Sequence, residues 1–309
     1  MNIVYMGTSV FAVPSLQSLI TSRHQVVGVV SQPDRPRGRG KRISPTPVKK
    51  IAQQHGIPVY QPARIKEPDA IQQIKSWQPE LIVVVSYGQI IPPEILEYPA
   101  AGCINVHASL LPRYRGAAPI QRALMDGEKI SGITTMFMDE GLDTGDIILQ
   151  LDVPIKDEYD HGQLEAILAE KGALLLGETI DQVENGTAPR IPQNHELASY
   201  ASRITREDEK IDWSQPAESI HNQIRALSPR PGAWTNLGKY KTKIYKSRVI
   251  NNDKSGVISQ IIEVGSEGFS VQSGKGIIEI LEVQREGRKR MPASDFLRGY
   301  QLQPGTLLA

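Results

Sequence analysis

Short apolar runs rich in β-branched residues alternate with longer amphipathic segments in the first part of the chain. The runs lie at 2–6, 25–31, 81–86, 102–107 and 133–138. Runs of this length and near-continuous hydrophobicity are typical of parallel strands that are covered on both faces. The segments between them have helical patterns and lie at 11–22, 46–55, 68–77, 118–125 and 163–183. This alternation predicts an α/β domain with a doubly wound, mostly parallel, Rossmann-like sheet.

The pattern changes near residue 190. Residues 190–206 are polar and contain Pro192, which predicts a linker. One helical segment follows at 217–227, and then short strand patterns at 233–236, 241–249, 256–264, 268–272 and 276–283. Five short strands separated by turn residues predict a small closed barrel of the OB type. The expected organisation is an α/β domain at 1–189, a linker at 190–206 and an OB-like domain at 207–309.

Composition restricts the class of protein. Of the 309 residues, 39% are hydrophobic, and no apolar run approaches the roughly 18 residues that a membrane span needs. The first residues do not combine a basic stretch with an apolar run, so we expect no signal peptide. Cys103 is the only cysteine, which rules out an intrachain disulfide and a thiolate zinc site. These features predict a cytoplasmic protein.

Two polar side chains interrupt the apolar run at 102–107. Asn105 and His107 are two residues apart, so on a strand they project from the same face. Polar groups in a buried strand are costly unless they are paired or used. Two donors on one face can stabilise the oxyanion of a tetrahedral acyl intermediate. On this pair alone, a core Asn and His that satisfy each other or the backbone remain the alternative.

An acidic loop follows the next predicted strand. Residues 139–146 read Asp-Glu-Gly-Leu-Asp-Thr-Gly-Asp, and the glycines at 141 and 145 permit a tight loop with positive φ. Asp143 lies between these glycines, and we expect it to hold the His107 imidazole and favour its protonated form. A solvated acidic turn is the alternative. The calcium-loop spacing, with a glutamate at position 12, is missing. Together, the two segments predict an acyl-transfer site.

Motifs for several other chemistries are missing. The sequence has no G-x-S-x-G, no Walker motif and no H-E-x-x-H, and Met-Gly-Thr at 6–8 does not extend to G-x-G-x-x-G. We therefore predict no metal and no dinucleotide. His161, His195 and His221 are isolated along the chain, which favours surface or structural roles.

A basic segment follows the second predicted strand. Residues 35–50 hold seven basic residues and no acidic one, although the net charge of the whole chain is only +1. The segment at 32–47 is too rich in proline and glycine for a predicted helix or sheet, and such basic loops bind phosphate backbones. A solubilising loop is the alternative. Lys241 and Lys243 share one face of a predicted barrel strand. The candidate phosphate-binding residues are Arg35, Arg37, Arg39, Lys41, Arg42, Lys241 and Lys243.

These segments together resemble the methionyl-tRNA formyltransferase family of folate-dependent formyltransferases. In the first domain the matching segments lie at 6–8, 32–47, 86–92, 103–120 and 136–147. In the second they lie at 210–213, 225–234 and 296–299. The most specific is Asn-Val-His-Ala-Ser-Leu-Leu-Pro at 105–112, followed by Leu-Asp-Thr-Gly-Asp at 142–146. One departure is Thr-Ser-Val-Phe at 8–11, where the family usually has Thr-Pro-Asp/Glu-Phe.

The resemblance implies transfer of a formyl group from 10-formyltetrahydrofolate to the amino group of initiator methionyl-tRNA. The product would be the N-formylmethionyl-tRNA that starts translation. The resemblance places the catalytic residues at Asn105, His107 and Asp143, and it implies neither a membrane nor a stable protein partner. It implies folate contacts at Ser109, Leu110, Leu111 and Pro112, and in a second loop at Ser86, Tyr87, Gly88, Gln89, Ile90 and Ile91.

Other functions remain as alternatives. The 105–112 string is shared with sugar-nucleotide formyltransferases and with the hydrolase domain of formyltetrahydrofolate dehydrogenase. The basic loop and the order of the two domains favour tRNA as the acceptor. A non-catalytic tRNA-binding protein would not need Asn105, His107 and Asp143 together. A nucleotide-dependent oxidoreductase would need the glycines that are missing after Gly7.

Overall fold

A computed structural model describes residues 1–37, 42–250 and 256–309 of the chain. Arg39 and Lys41 lie outside the described residues, and so do the side chains of Arg37 and Arg42. The chain divides into two compact units. The first unit comprises Met1–Gly116, Ile130–Pro154 and Glu165–Tyr200, and the second comprises Ala117–Lys129, Ile155–Leu164 and Ala201–Ala309.

The first unit is built on a seven-stranded sheet. In chain order, the strands up to the end of this unit are β1 (Asn2–Gly7), β2 (Gln25–Val30), β3 (Arg35–Arg37), β4 (Arg42–Ser44), β5 (Val59–Tyr60), β6 (Leu81–Val85), β7 (Cys103–His107), β8 (Arg115–Gly116), β9 (Ile130–Phe137), β10 (Ile147–Pro154) and β11 (Tyr200–Ala201). The main sheet has the order β10-β9-β7-β6-β1-β2-β5. Strands β5, β2, β1, β6 and β7 are parallel, and β9 and β10 complete one edge antiparallel.

The apolar runs predicted the central strands correctly. All five residues of β6 are buried, as expected for a strand with both faces covered. Strand β10 was not predicted, because only three of its eight residues are buried and the rest are partly or fully exposed. Such a pattern is typical of an antiparallel strand at a sheet edge, and it lacks the continuous hydrophobicity of the parallel strands.

Helices cover both faces of this sheet. In chain order they are α1 (Val13–Ile20), α2 (Pro47–Gln54), α3 (Pro68–Ser76), α4 (Pro93–Leu96) and α6 (His161–Glu184). Helix α5 (Pro119–Met125) comes between α4 and α6 in the chain but belongs to the second unit. On one face, Thr135 of β9 bonds Thr179 of α6 at 2.8 Å. On the other face, Val84 of β6 shares a core cluster with Ile74 of α3 and Ile95 of α4. The predicted doubly wound architecture is therefore confirmed.

The basic segment contains more regular structure than its composition indicates. Strands β3 and β4 pair antiparallel, with Arg35 opposite Ser44. At the base of this hairpin the Asp34 carboxylate accepts hydrogen bonds from Lys49 Nζ at 2.6 Å and Gln61 Nε2 at 2.7 Å. The expectation of neither helix nor sheet in this segment is wrong, because backbone pairing and this polar anchor hold its two arms together.

The second unit carries an antiparallel sheet. Its strands are β12 (Ala233–Leu237), β13 (Tyr240–Ile250), β14 (Ile261–Val264), β15 (Phe269–Gln272), β16 (Ile277–Arg285) and β17 (Met291–Pro292). The order is β12-β13-β16-β15-β14, with β17 paired to β16. Helix α7 (Ala217–Ala226) packs on β13 and β16, and α8 (Ala293–Gly299) follows β17. The five strands that the sequence predicted are all present.

The last residues of the chain complete this sheet. Leu308 forms a bridge with Leu237 of β12, and Leu307 forms a bridge with Gln260, next to β14. The segment 306–309 therefore spans the gap between the two edge strands and closes the sheet into a barrel. The sequence predicted a closed barrel but did not show which residues close it.

The region predicted as a linker is part of the packed structure. Ile191 pairs with Ile147 of β10, and Gln193 is buried. Residues 117–129 and 155–164 pack with the second unit, although they precede the predicted linker in the chain. The bounds 1–189, 190–206 and 207–309 thus stay a prediction. Among the described residues, no helix is both long and apolar enough to cross a membrane.

Candidate active site

Asn105 and His107 lie on β7, between β6 and β9 in the sheet. Both side chains are buried, with 9% and 6% exposure. In the register of the sheet Asn105 lies beside Val84 and Met136, so it projects on the face that carries α3 and α4. The two-residue spacing therefore puts both polar groups on one face at the carboxyl end of a parallel strand, where ligands bind in open α/β sheets.

The Asp143 carboxylate meets both of these side chains. Asn105 Nδ2 donates to Asp143 Oδ1 at 3.3 Å, and His107 Nδ1 lies 3.7 Å from Asp143 Oδ2. The backbone N–H of Gly116 donates to Oδ2 at 2.8 Å. The three residues chosen from the sequence are thus brought together within the first unit, although 38 positions separate Asn105 from Asp143.

The tautomer of His107 follows from its other contact. His107 Nε2 lies 2.9 Å from the carbonyl oxygen of Tyr114. Because a carbonyl oxygen can only accept, Nε2 must carry a proton. Nδ1 is therefore the ring nitrogen directed toward Asp143, and it carries a second proton only when the ring is an imidazolium.

The acidic loop at 139–146 is built differently from the expectation. The residue with positive φ is Asp143 itself, at 53°, and not Gly141 or Gly145. The glycines are needed for close approach: a Cβ on Gly145 would lie 1.8 Å from the carbonyl oxygen of Phe137. Asp139 holds the turn by accepting from Gly141 N at 3.0 Å and from Thr144 Oγ1 at 2.6 Å. The expectation of positive φ at the glycines is therefore wrong.

The predicted linker contributes two residues to the site that the sequence did not reveal. Gln193 Nε2 donates to the carbonyl oxygens of Asp143 at 2.9 Å and Gly145 at 2.8 Å. Ser199 Oγ accepts from Tyr114 N at 2.9 Å. No local pattern could have identified these residues, because Gln and Ser are common in polar connecting segments.

The predicted folate segment at 109–112 leaves the carboxyl end of β7. Leu111 and Pro112 are joined by a cis peptide bond. Thr134 Oγ1 donates to the carbonyl oxygen of Ser109 at 2.7 Å, and Gln150 Nε2 donates to that of Leu111 at 2.9 Å. Ser109 and Leu111 are buried, and Leu110 is partly exposed. The segment is thus fixed by neighbouring strands of the same sheet.

The second predicted folate segment, at 86–91, leaves the carboxyl end of β6, the neighbour of β7. Tyr87 and Ile91 are buried in the core, whereas Ile90 is 85% exposed. Gln89 Oε1 accepts from Ile65 N at 2.8 Å. Ser86 has a positive φ of 48°. Parallel neighbouring strands direct both predicted folate segments to the same edge of the sheet, although Tyr87 and Ile91 face the interior.

The described candidates for phosphate binding differ in their surroundings. Arg35 is exposed on β3. On β13, Lys241 Nζ lies 3.7 Å from the centre of the Trp234 ring, whereas Lys243 Nζ donates to the carbonyl oxygen of Pro231 at 2.5 Å. Both lysines are partly exposed and the residue between them is buried, so they share the outer face of the barrel. Lys243 has a carbonyl partner, and Lys241 is directed over an aromatic ring.

Cys103 and a cluster of three titratable side chains are not part of this candidate site. Cys103 is buried, and burial raises the pKa of its thiol to about 12, so it is not a reactive thiolate. Among the described residues, His24, Asp181 and Glu184 are close enough together to hold a cation. Arg23 already pairs with both carboxylates, at 2.8 Å and 2.5 Å. That no metal takes part stays a prediction.

The sequence matches a known protein family over most of its length. Residues 1–180 match the family model for formyl transferase, and residues 203–301 match the one for the formyl transferase C-terminal domain. The chain belongs to the formyl transferase family. The resemblance inferred from the sequence is confirmed.

Similar proteins within this family carry a more specific name than the family does. A methionyl-tRNA formyltransferase of Syntrophomonas wolfei subsp. wolfei is 60% identical over 309 residues, which cover 100% of this chain and 98% of that protein. One of Moorella thermoacetica is 50% identical over 308 residues, which cover 100% and 99%. This chain therefore resembles enzymes of that name along its whole length.

Solved structures agree in fold. An N-formyltransferase of Helicobacter canadensis, in complex with folinic acid and dTDP-3-aminofucose, has a TM-score of 0.66 at 23% identity, over 92% of this chain and 99% of that one. A methionyl-tRNA formyltransferase of Clostridium thermocellum has a TM-score of 0.54 at 20% identity, over 82% and 95%. At these identities the likeness shows the fold alone.

Proposed function

We propose that this chain transfers the formyl group of 10-formyltetrahydrofolate to the α-amino group of initiator methionyl-tRNA. The observation that carries the chemistry is the meeting of Asn105, His107 and Asp143 at the carboxyl end of β7. The full-length similarity to methionyl-tRNA formyltransferases favours the acceptor. A folate donor is supported by a relative in fold, HypX of Aquifex aeolicus, whose structure was solved with tetrahydrofolic acid.

The arrangement suits the charge that develops in this reaction. When an amine attacks the formyl carbon, the carbonyl oxygen becomes an oxyanion. Asn105 Nδ2 has two protons, of which one is directed to Asp143, so the other can donate to that oxygen. A protonated His107 can also donate from Nδ1, because Nδ1 lies 3.7 Å from Asp143 Oδ2, which is too far for a hydrogen bond. Donors fixed in a buried site stabilise an oxyanion more strongly than water does, because they need little reorganisation.

Asp143 orients the imidazolium and can accept the proton that the attacking amine loses. The attacking amine enters as the free base and gains a positive charge when the carbon–nitrogen bond forms. It then loses one proton, to water or to the Asp143 carboxylate. The bond from the formyl carbon to N10 of the folate breaks as the oxyanion collapses, and N10 takes up a proton. Atoms and charge balance without any other reactant, and the protein contributes position and electrostatics.

The folate and tRNA contacts are parts of the same proposal. The segments 109–112 and 86–91 would bind the folate, since they leave neighbouring strands beside the catalytic groups. Arg35, Arg37, Arg39, Lys41 and Arg42, together with Lys241 and Lys243, would contact phosphates of the tRNA. A translation enzyme without a membrane partner is expected in the cytoplasm.

A comparison of two acceptors tests the function. The protein would be incubated with 10-formyltetrahydrofolate and either methionyl-tRNA or dTDP-3-aminofucose, and the formylated product would be measured. We expect formyl-methionyl-tRNA. Formylation of the sugar nucleotide alone would instead support the second candidate, which the Helicobacter canadensis structure suggests. The His107→Ala variant serves as the control for chemistry at this site.

A further inference from the structure

The buried side-chain amide of Gln193 binds the backbone of the loop that carries Asp143. We propose that Gln193 is a positioning residue for Asp143, and that Arg115 fixes the orientation of Gln193. The inference rests on the proposed function, because it concerns the group that orients His107. Gln193 lies in the segment predicted as a linker, and it does not touch Asn105 or His107 in any contact of the described structure.

The two carbonyl groups that Gln193 binds belong to the acidic loop at 139–146. Its Nε2 donates to the carbonyl oxygens of Asp143, at 2.9 Å, and Gly145, at 2.8 Å, and the side chain is buried. Asp143 has a φ of 53°, a left-handed conformation that is unfavourable for residues other than glycine. Such a conformation persists only where surrounding contacts hold it. Gln193 supplies two of those contacts to the backbone.

The guanidinium of Arg115 holds the other end of the amide. Arg115 Nε and Nη2 donate to Gln193 Oε1 at 3.1 Å and 2.6 Å, and Arg115 is 1% exposed. Its Nη1 lies 3.2 Å from His195 Nδ1, which must accept because the guanidinium can only donate. All three nitrogen atoms of the Arg115 guanidinium therefore have hydrogen-bond partners.

This arrangement determines which way the amide of Gln193 points. The guanidinium offers only donors and the two carbonyl groups offer only acceptors. An amide therefore satisfies both sides in one orientation, with Oε1 toward Arg115 and Nε2 toward the loop. A carboxylate at position 193 would satisfy Arg115 but would place an oxygen against two carbonyl oxygens. A thioether of similar length would satisfy neither side.

The consequence for function concerns the Asp143 carboxylate. Its distances to Asn105 Nδ2 and Gly116 N, 3.3 Å and 2.8 Å, depend on where the backbone of the loop lies. Without Gln193 the loop can relax from its left-handed turn, and the carboxylate then moves relative to His107. A displacement of about 1 Å in a catalytic group can cost about 100-fold in rate. Binding of the folate should change little, because the described hydrogen bonds of Gln193 go to Arg115 and to residues of strand β9 and the acidic loop, and none goes to the predicted folate segments at 86–91 and 109–112.

The test compares Gln193→Glu and Gln193→Met, each alone and combined with Asp143→Ala. Formylation of methionyl-tRNA is measured with both substrates varied. We expect each single variant to lose about 10- to 100-fold in kcat, with KM values within about threefold of wild type. In the Asp143→Ala background the same substitutions should cost less than about threefold, since a positioning residue acts through its partner.

Asn222→Ala is the matched control. In the second unit, Asn222 Oδ1 accepts from the guanidinium of the buried Arg225 at 2.9 Å, so this variant also removes a buried amide–guanidinium contact. We expect it to lower the midpoint of thermal unfolding without lowering kcat.

Two results would overturn the inference. One is a normal kcat for Gln193→Glu and Gln193→Met while Asp143→Ala is impaired, and the other is full multiplication of the losses in the double variants. An inactive wild-type protein would overturn the proposed function as well, so the two failures are distinguishable. Gln193→Met keeps the length of the side chain and adds no charge, which keeps the test valid if Gln193→Glu does not fold.

Discussion

The imidazole of His107 donates its Nε2 proton to the carbonyl oxygen of Tyr114, 2.9 Å away. This contact determines the ring orientation and directs Nδ1 toward Asp143. Tyr114 has a positive φ of 59°, and its own N–H is bound by Ser199. The orientation of His107 is therefore set by a loop that the segment after residue 190 holds in place.

Removing either proposed oxyanion donor should reduce turnover strongly. We expect Asn105→Ala and His107→Ala to lower kcat by about 100- to 1000-fold, because each deletes a donor fixed in a buried site. Single-turnover formylation of methionyl-tRNA measures this effect. His55→Ala, which alters an exposed histidine after α2, should leave turnover unchanged. Near-normal turnover in His107→Ala would contradict the assignment.

Neutralising Asp143 should change the dependence of rate on pH. Asp143→Asn keeps an acceptor for the N–H of Gly116 but removes the charge that pairs with an imidazolium. We expect kcat to fall by about 100-fold or more and the pH–rate profile to change shape. Asp139→Asn weakens the turn of the same loop and should keep the wild-type shape. Identical profiles for Asp143→Asn and wild type would rule out the role of Asp143.

Neutralising the basic segment at 32–47 should affect only the nucleic acid substrate. We expect replacement of Arg37, Arg39 and Arg42 by Gln to raise the KM for methionyl-tRNA and to leave folate binding intact. For a duplex, each phosphate that is no longer neutralised should reduce the slope of log affinity against log salt concentration by about 0.9. Affinity for tRNA measured across a salt series checks this. Unchanged affinity and slope would mean that the segment only aids solubility.

The two lysines of β13 should not contribute equally. Lys243 already donates to the carbonyl oxygen of Pro231, whereas Lys241 lies over the Trp234 ring on the outer face. We expect Lys241→Ala to raise the KM for methionyl-tRNA more than Lys243→Ala does, and Lys243→Ala to lower stability more. Parallel measurements of KM and thermal midpoint separate the two effects. The reverse ranking would contradict this prediction.

An ion pair inside the second unit should make stability depend on pH. Arg122 of α5 binds both oxygens of Asp208 at 2.9 Å, and these hydrogen bonds hold the pKa of the Asp208 carboxyl below its usual value. A lowered folded pKa stabilises the protein above the unfolded value of about 3.9, and this stabilisation is lost as the pH falls through the folded value. Arg122→Met should thus cost ~1–2 kcal/mol at pH 7.

The difference between Arg122→Met and wild type should become smaller in strong acid, where Asp208 is protonated in both proteins. The part that remains comes from the hydrogen bonds of Arg122 to the carbonyl oxygens of Ser202 and Arg203. Urea unfolding at a series of pH values measures the difference. Arg190→Met is a suitable control, because Arg190 lies 3.8 Å from Asp146 and both side chains are more exposed. A difference that is the same at all pH values would show that the stabilisation does not come from the charge of Asp208.

Local patterns were enough to place most elements and the three central residues of the site. The continuous apolar runs form the parallel strands. Both faces of these strands are covered, so polar and apolar residues do not alternate along them. The spacing of Asn105 and His107 fixed a shared face, since neighbouring residues on a strand alternate between faces. The edge strand β10 lacks such a pattern and was missed.

The sequence by itself therefore determined the α/β and barrel classes, the positions of Asn105, His107 and Asp143, and a resemblance that the full-length relatives confirm. Tertiary structure alone decided how the site is held. Gln193 reaches Asp143 from 50 residues away, Arg115 reaches Gln193 across 78, and Ser199 reaches Tyr114 across 85. Hydrogen bonds between residues so distant in the chain leave no periodic pattern, because their partners are chosen by the folded backbone.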